Sequence, residues 1–217
     1  MQEIEFLYDF GSPNAYLVHR VLPGLAERHG ARLHYVPILL GGVFKATNNR
    51  SPMEAFAGVK GKLAYEMRET ERFVRRHGIR YHMNPYFPLN TLALMRGAVF
   101  AQGKDWEGAF VDAVFDAIWL HGQKMDEPMV IEDALREADL PAAKIMDAMR
   151  SPEVKQGLIA NTDAAVARGV FGAPTMFVGD EMFRQTQPAG TGTSVGDRLT
   201  GGEARGFAPS RGTRARI

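Results

Sequence analysis

The first forty residues restrict the fold more than any other stretch. Residues 4–8, Ile-Glu-Phe-Leu-Tyr, read as a short buried strand. Asp9-Phe-Gly-Ser-Pro13 follows, then an amphipathic helix over 14–29 that ends at Gly30. Ser12 stands at the N-cap and Pro13 in the first turn, where a helix has no use for the missing N–H. Residues 32–37 alternate as a second strand. Strand, helix and strand in direct succession imply a parallel pair joined by a right-handed crossover.

Composition narrows the chemistry. The 217 residues suit one domain, or one domain carrying a large insertion. There is no cysteine, which removes disulfides, thiolate nucleophiles, Cys-type zinc sites and iron–sulfur clusters together. With 26 Lys+Arg against 25 Asp+Glu, the charge balance argues against a nucleic-acid partner. The opening Met-Gln-Glu-Ile-Glu-Phe has neither the basic nor the apolar region of a signal peptide. No apolar run approaches the roughly 18 residues of a membrane span. The expectation is a cytoplasmic protein that does not enter the membrane.

Beyond the opening, the spacing predicts one long charged helix over 53–77. Further helices are predicted over 88–102, 106–121, 131–138, 141–149 and 152–168, with Pro or Gly between them. Gly172-Ala-Pro-Thr-Met-Phe-Val-Gly179 reads as turn, strand and turn, and 180–183 as the start of a hairpin partner. Residues 184–217 differ in kind: 6 Arg, no Lys, 2 acids and 7 Gly, with Val195, Leu199, Phe207 and Ile217 as the large apolar residues. So little apolar surface does not offset ordering entropy, and the stretch is expected to be mostly disordered. Its segment 190–196 has a glycine spacing like a phosphate loop but lacks the strand and helix such a loop needs.

Two segments have unusual local chemistry. In Phe10-Gly-Ser-Pro-Asn-Ala15, a hydroxyl sits beside unpaired N–H groups at the positive end of a helix, a place that favours an anion such as carboxylate, phosphate or thiolate. On this segment alone an ordinary Ser N-cap is the plainer account. In Gly172-Ala-Pro-Thr, a proline merely starting a strand competes with a cis-proline that turns the preceding backbone toward a ligand. His29 and His77 precede glycines at helix ends, and His19, His34, His82 and His121 show no ligand spacing, so no metal is expected.

Together these features resemble a thioredoxin-like fold of the DsbA type: a βαβ…ββα core with a large all-helical insertion, α/β in class. Ser12-Pro-Asn-Ala15 stands where that fold usually has Cys-Pro-x-Cys, so any thiol must arrive with a ligand. Four motifs in order, Asp9-Phe-Gly-Ser-Pro-Asn-Ala-Tyr16, 37–52, 87–97 and 169–178, resemble 2-hydroxychromene-2-carboxylate isomerases, relatives of the kappa-class glutathione transferases. The resemblance covers about residues 1–183. It divides the chain into 1–38 and 169–183 as the thioredoxin-like part, 39–168 as the helical insertion, and 184–217 as an atypical tail.

The resemblance implies glutathione as cofactor and a small aromatic substrate. The implied reaction is cis–trans isomerisation between 2-hydroxychromene-2-carboxylate and trans-o-hydroxybenzylidenepyruvate in aromatic catabolism. A kappa-like transferase and an inactive thioredoxin-fold binding protein are the alternatives. It also implies a homodimer. Residue by residue, Ser12 would hold the glutathione sulfur as thiolate, and Ala173, before Pro174, would pair with the cysteinyl backbone. Lys45, Asn49 and Arg50 would lie on the loop after the second strand and meet the substrate carboxylate or glutathione, although a solvated charge fits Arg50 equally. Lys62, with Tyr65, would contact glutathione, a plain surface helix being the equal alternative. Tyr86 and Asn90 would line the substrate pocket, with a buried, satisfied Asn the competing account of Asn90.

The pattern breaks after Met182-Phe183. The family continues through Phe-Gly-x-Asp-Arg-Leu into a last helix that holds the γ-glutamyl end of glutathione. Here Arg184-Gln-Thr-Gln-Pro follows, and Asp197-Arg198-Leu199 echoes the motif too far along to carry weight. The Gly- and Arg-rich composition reads as the product of a shifted reading frame, which would remove the last helix and part of the glutathione site.

Overall fold

The computed structural model describes residues 1–184 and 195–199. Strand β1 (Glu3–Tyr8), helix α1 (Pro13–Arg28) and strand β2 (Arg32–Pro37) form the expected unit, with β1 and β2 parallel and Glu3 opposite Arg32. Eight helices follow before the chain returns to the sheet: α2 (Leu40–Thr47), α3 (Pro52–Ala55), α4 (Lys62–His77), α5 (Leu92–Ala101), α6 (Glu107–Trp119), α7 (Pro128–Glu137), α8 (Ala142–Ala148) and α9 (Pro152–Ala167). Strands β3 (Thr175–Val178) and β4 (Glu181–Phe183) complete a four-stranded sheet among the described residues, in the order β2-β1-β3-β4, and a short α10 (Val195–Leu199) ends it. Strand β3 runs antiparallel to both neighbours, pairing Leu7 with Thr175 and Met176 with Phe183.

Strand alternation divides the core. Ile4, Phe6 and Tyr8 face a large cluster built on α1, α5 and α6, with Phe10, Phe110, Phe115 and Trp119 fully buried in it. Leu7 faces the other way, onto Ile38, Val43, Ala165, Val170 and Phe177 beneath α2 and α9. At its rim, Glu5 receives two hydrogen bonds from Arg168, at 2.7 and 3.0 Å, while that guanidinium lies 3.7 Å above the Phe177 ring.

Two sequence expectations are corrected and a third is qualified. The helix predicted over 53–77 is two helices: a capping box between Ser51 and Glu54 starts α3, and α4 begins after Gly61, which sits at φ +80°. Helix α2 falls where a loop was expected. Its N-cap, Leu39, offers no side-chain bond, and the free N–H of Leu40 is met instead by Asp9, 31 residues upstream. Gly42 lets α2 lie against α9, since a Cβ there would come 3.2 Å from Thr162. Finally, α10 lies inside the stretch expected to be disordered, and Val195 and Leu199 are buried in the main core beside Phe183. The rest of the tail reading concerns residues outside those described.

Candidate active site

Ser12 caps α1 as expected, accepting from the Ala15 N–H at 3.2 Å. Its own Oγ–H donates to the Ala173 carbonyl at 3.1 Å, 161 residues away in sequence. The Ala173–Pro174 peptide is cis. Sheet pairing of β3 starts only at Thr175, so the Ala173 backbone lies at an unpaired edge facing the helix end. Two segments that were ambiguous alone thus come together: the hydroxyl of a buried serine, a helix N-terminus and a peptide edge.

The loop carrying Ser12 is fixed from several directions. The Phe10 carbonyl accepts from Trp119 Nε1 at 2.8 Å, and its N–H donates to Met95 Sδ at 3.3 Å. Asp9 accepts from the Gly11 N–H at 2.8 Å, the Leu40 N–H at 2.8 Å and Thr91 Oγ1 at 2.7 Å. Burial pushes the Asp9 carboxyl above its ordinary pKa, and those three donors pull the other way. A Cβ at Gly11 would lie 3.3 Å from Thr91, so α5 begins hard against the loop. None of Asp9, Met95, Thr91 and Trp119 was singled out as a site residue. Each bonds residues 31 to 109 positions distant, which no local pattern reveals.

Trp119 is a direct test of this support. Trp119→Phe keeps an aromatic ring in the core but leaves the buried Phe10 carbonyl without its donor. The expected cost is about 1–3 kcal/mol of unfolding free energy, read by urea denaturation.

The other anticipated residues sort unevenly. Asn49 reaches the site's neighbourhood: its Nδ2 donates to the Phe171 carbonyl at 2.7 Å, tying the end of α2 to the loop before Pro174. Lys45 is exposed in the last turn of α2, and Arg50 is exposed just past it. Lys45 thus stands on a helix where a loop was expected, while Asn49 and Arg50 lie in the loop that follows it. Lys62 lies 2.6 Å from Glu66, with its ammonium 5.1 Å from the Phe56 ring centroid and 5.9 Å from that of Tyr65. Tyr86 is half exposed. Asn90 is exposed and accepts from the Leu92 N–H at 3.1 Å, at the start of α5. The buried, satisfied asparagine is Asn84, which donates to the carbonyls of Ile118 and Gln123 and accepts from the Tyr86 N–H.

Comparison with known proteins agrees with this architecture. The DSBA-like thioredoxin domain is matched over residues 3–192. A 2-hydroxychromene-2-carboxylate isomerase of Sphingobium xenophagum is 31% identical over 180 residues, covering 83% of this chain and 90% of that protein. The chain belongs to the 2-hydroxychromene-2-carboxylate isomerase family. A solved structure of such an isomerase superposes with a TM-score of 0.73 at 28% identity, covering 83% of this chain and 87% of that one. Glutathione S-transferase kappa 1 of Homo sapiens is similar at 24% identity over 79% of this chain and 78% of its own. The Sphingobium relative is named an isomerase.

Proposed function

We propose that this chain is a glutathione-dependent isomerase that interconverts 2-hydroxychromene-2-carboxylate and trans-o-hydroxybenzylidenepyruvate, or a close analogue. The observation that carries the reading is the 3.1 Å bond between Ser12 Oγ and the Ala173 carbonyl at the head of α1. A thiolate competing for the Ser12 hydroxyl meets a donor and the positive helix end, and frees Ala173 for a peptide N–H. The donor set therefore fits a cysteinyl peptide, and a chain without cysteine needs one for thiol chemistry.

Bound glutathione would supply the nucleophile whose reversible addition lets a double bond rotate, and it would be returned unconsumed. Ser12 holds the sulfur as the anion, while Ala173 and Pro174 fix the peptide. Lys45, with Asn49 and Arg50 beside it, meets the substrate carboxylate and the charge that develops on the pyruvyl side. Lys62 supports glutathione from α4. Tyr86 and Asn90 flank the substrate from the loop that leads into α5.

The similarity to a glutathione transferase favours one second reading, conjugation in place of isomerisation. Incubating the chain with trans-o-hydroxybenzylidenepyruvate and substoichiometric glutathione separates them. Isomerisation predicts turnover beyond one equivalent of thiol and a product of unchanged mass. A product heavier by one glutathione, formed until the thiol is exhausted, assigns the transferase. No turnover with or without the thiol removes both.

A further inference from the structure

We propose that Arg184 is a carboxylate-binding residue of this site, holding a carboxylate of the bound thiol peptide or of the oxo-acid substrate against the loop that precedes Pro174. The proposal rests on the thiol-and-carboxylate reading above. From sequence, Arg184 only opens the stretch expected to be mostly disordered. It follows β4 directly, its guanidinium carbon lies 4.2 Å over the Phe171 ring, and its terminal nitrogens would be 3.0 and 3.3 Å from a Cβ at Gly172. Glycine at 172 thus admits the flat guanidinium onto the residue next to Ala173.

The group is placed without being satisfied. Nε is shut off from solvent and donates to nothing, and Arg184 makes no hydrogen bond or ion pair among the described residues. Burial pulls its pKa below the ordinary value, with no acid acting in the other direction. Arg168 shows what the same device looks like when complete. It too lies flat on a phenylalanine, Phe177, but both its terminal nitrogens donate to Glu5. Arg184 has the aromatic seat and lacks the carboxylate. A planar, always-charged fork fixed in this way suits two-point binding of a carboxylate better than a flexible ammonium would. The adjoining Phe171 carbonyl is held by Asn49, so the seat is anchored to α2 as well as to the sheet.

The test titrates the full chain calorimetrically, as wild type, Arg184→Met, Arg184→Gln and Arg184→Lys, with two probes used separately: reduced glutathione and trans-o-hydroxybenzylidenepyruvate. Thermal unfolding without probe accompanies each variant. Arg184→Met and Arg184→Gln are expected to weaken one probe at least tenfold, with Arg184→Lys recovering part of the loss. The probe that loses affinity identifies the source of the carboxylate. The unfolding midpoint without probe should stay level or rise, because an unpaired, half-buried charge is removed. Unchanged affinity of all variants for both probes overturns the proposal and leaves the glutathione reading standing. An equal loss for both probes with a lowered midpoint also overturns it, since that is a purely structural arginine. Failure of the folded wild type to bind either probe removes both readings.

Discussion

Ser12→Ala is expected to lower thiol-dependent turnover by about 10²–10³-fold, the usual effect of losing one preorganised donor to a developing or resident anion. The helix end remains in the variant, so the positive end of α1 still favours the thiolate, and binding should weaken less than turnover falls. The acid limb of the pH–rate profile should move to higher pH, because a thiolate without its hydroxyl donor is harder to form. Stability should drop by about 1 kcal/mol from the lost N-cap. A companion variant reads the geometry directly. Ser12→Cys places the only thiol of the chain at a helix N-terminus, where its pKa is lowered. Its thiolate should attack glutathione disulfide, forming one mixed disulfide and releasing one glutathione thiolate. Intact mass then reports the adduct unambiguously. Turnover of Ser12→Ala equal to wild type, with no adduct on Ser12→Cys, would sink the assignment of Ser12.

The parts of this architecture that are legible in sequence are those encoded locally. Ser12, Pro13 and Gly30 bracket α1 within one segment, and the alternation of 32–37 reproduces β2 residue for residue. Helix α2 is illegible for a physical reason: its paired glycines lower helix propensity, and its first turn is capped by Asp9 and Thr162, both remote. The division of the 53–77 helix was available in Gly58 and Gly61, but the charge pattern on either side masked it. The site itself was half visible. Ser12, Pro174 and Asn49 were singled out from local motifs and a resemblance, whereas Asn84 and Arg184 take their meaning from carbonyls and rings brought up by the fold. Val195 and Leu199 make the same point, since two apolar residues in a polar stretch suffice for one buried turn once a core is there to receive them.

Asp9 is where the fold and the site depend most on one side chain. Its carboxylate joins the end of β1, the start of α2 and the start of α5, and two of its three donors are backbone N–H groups with no other acceptor. Asp9→Asn can keep Gly11 and Thr91 on its oxygen, but turns an amide NH₂ toward the Leu40 N–H. The expected loss is about 2–3 kcal/mol of unfolding free energy, the cost of one buried backbone donor left unpaired with a second pressed against it. Thr91→Val, which removes only a side-chain donor, should cost about 1 kcal/mol. The double variant should depart from the sum, because the two side chains are in direct contact and share one hydrogen bond. The pH dependence has a definite sign. Burial raises the folded-state pKa of Asp9 above its unfolded value, so between the two the folded chain binds the extra proton, and wild-type stability falls as pH rises through that window. Asp9→Asn lacks this titration. The advantage of wild type over Asp9→Asn should therefore be largest near pH 4, narrow as pH is raised, and become constant once the carboxyl is ionised in both states. Urea denaturation of both chains across that range measures it. A gap that widens with pH would mean that the three donors outweigh burial, and that Asp9 stabilises the Ser12 loop as a fully committed anion.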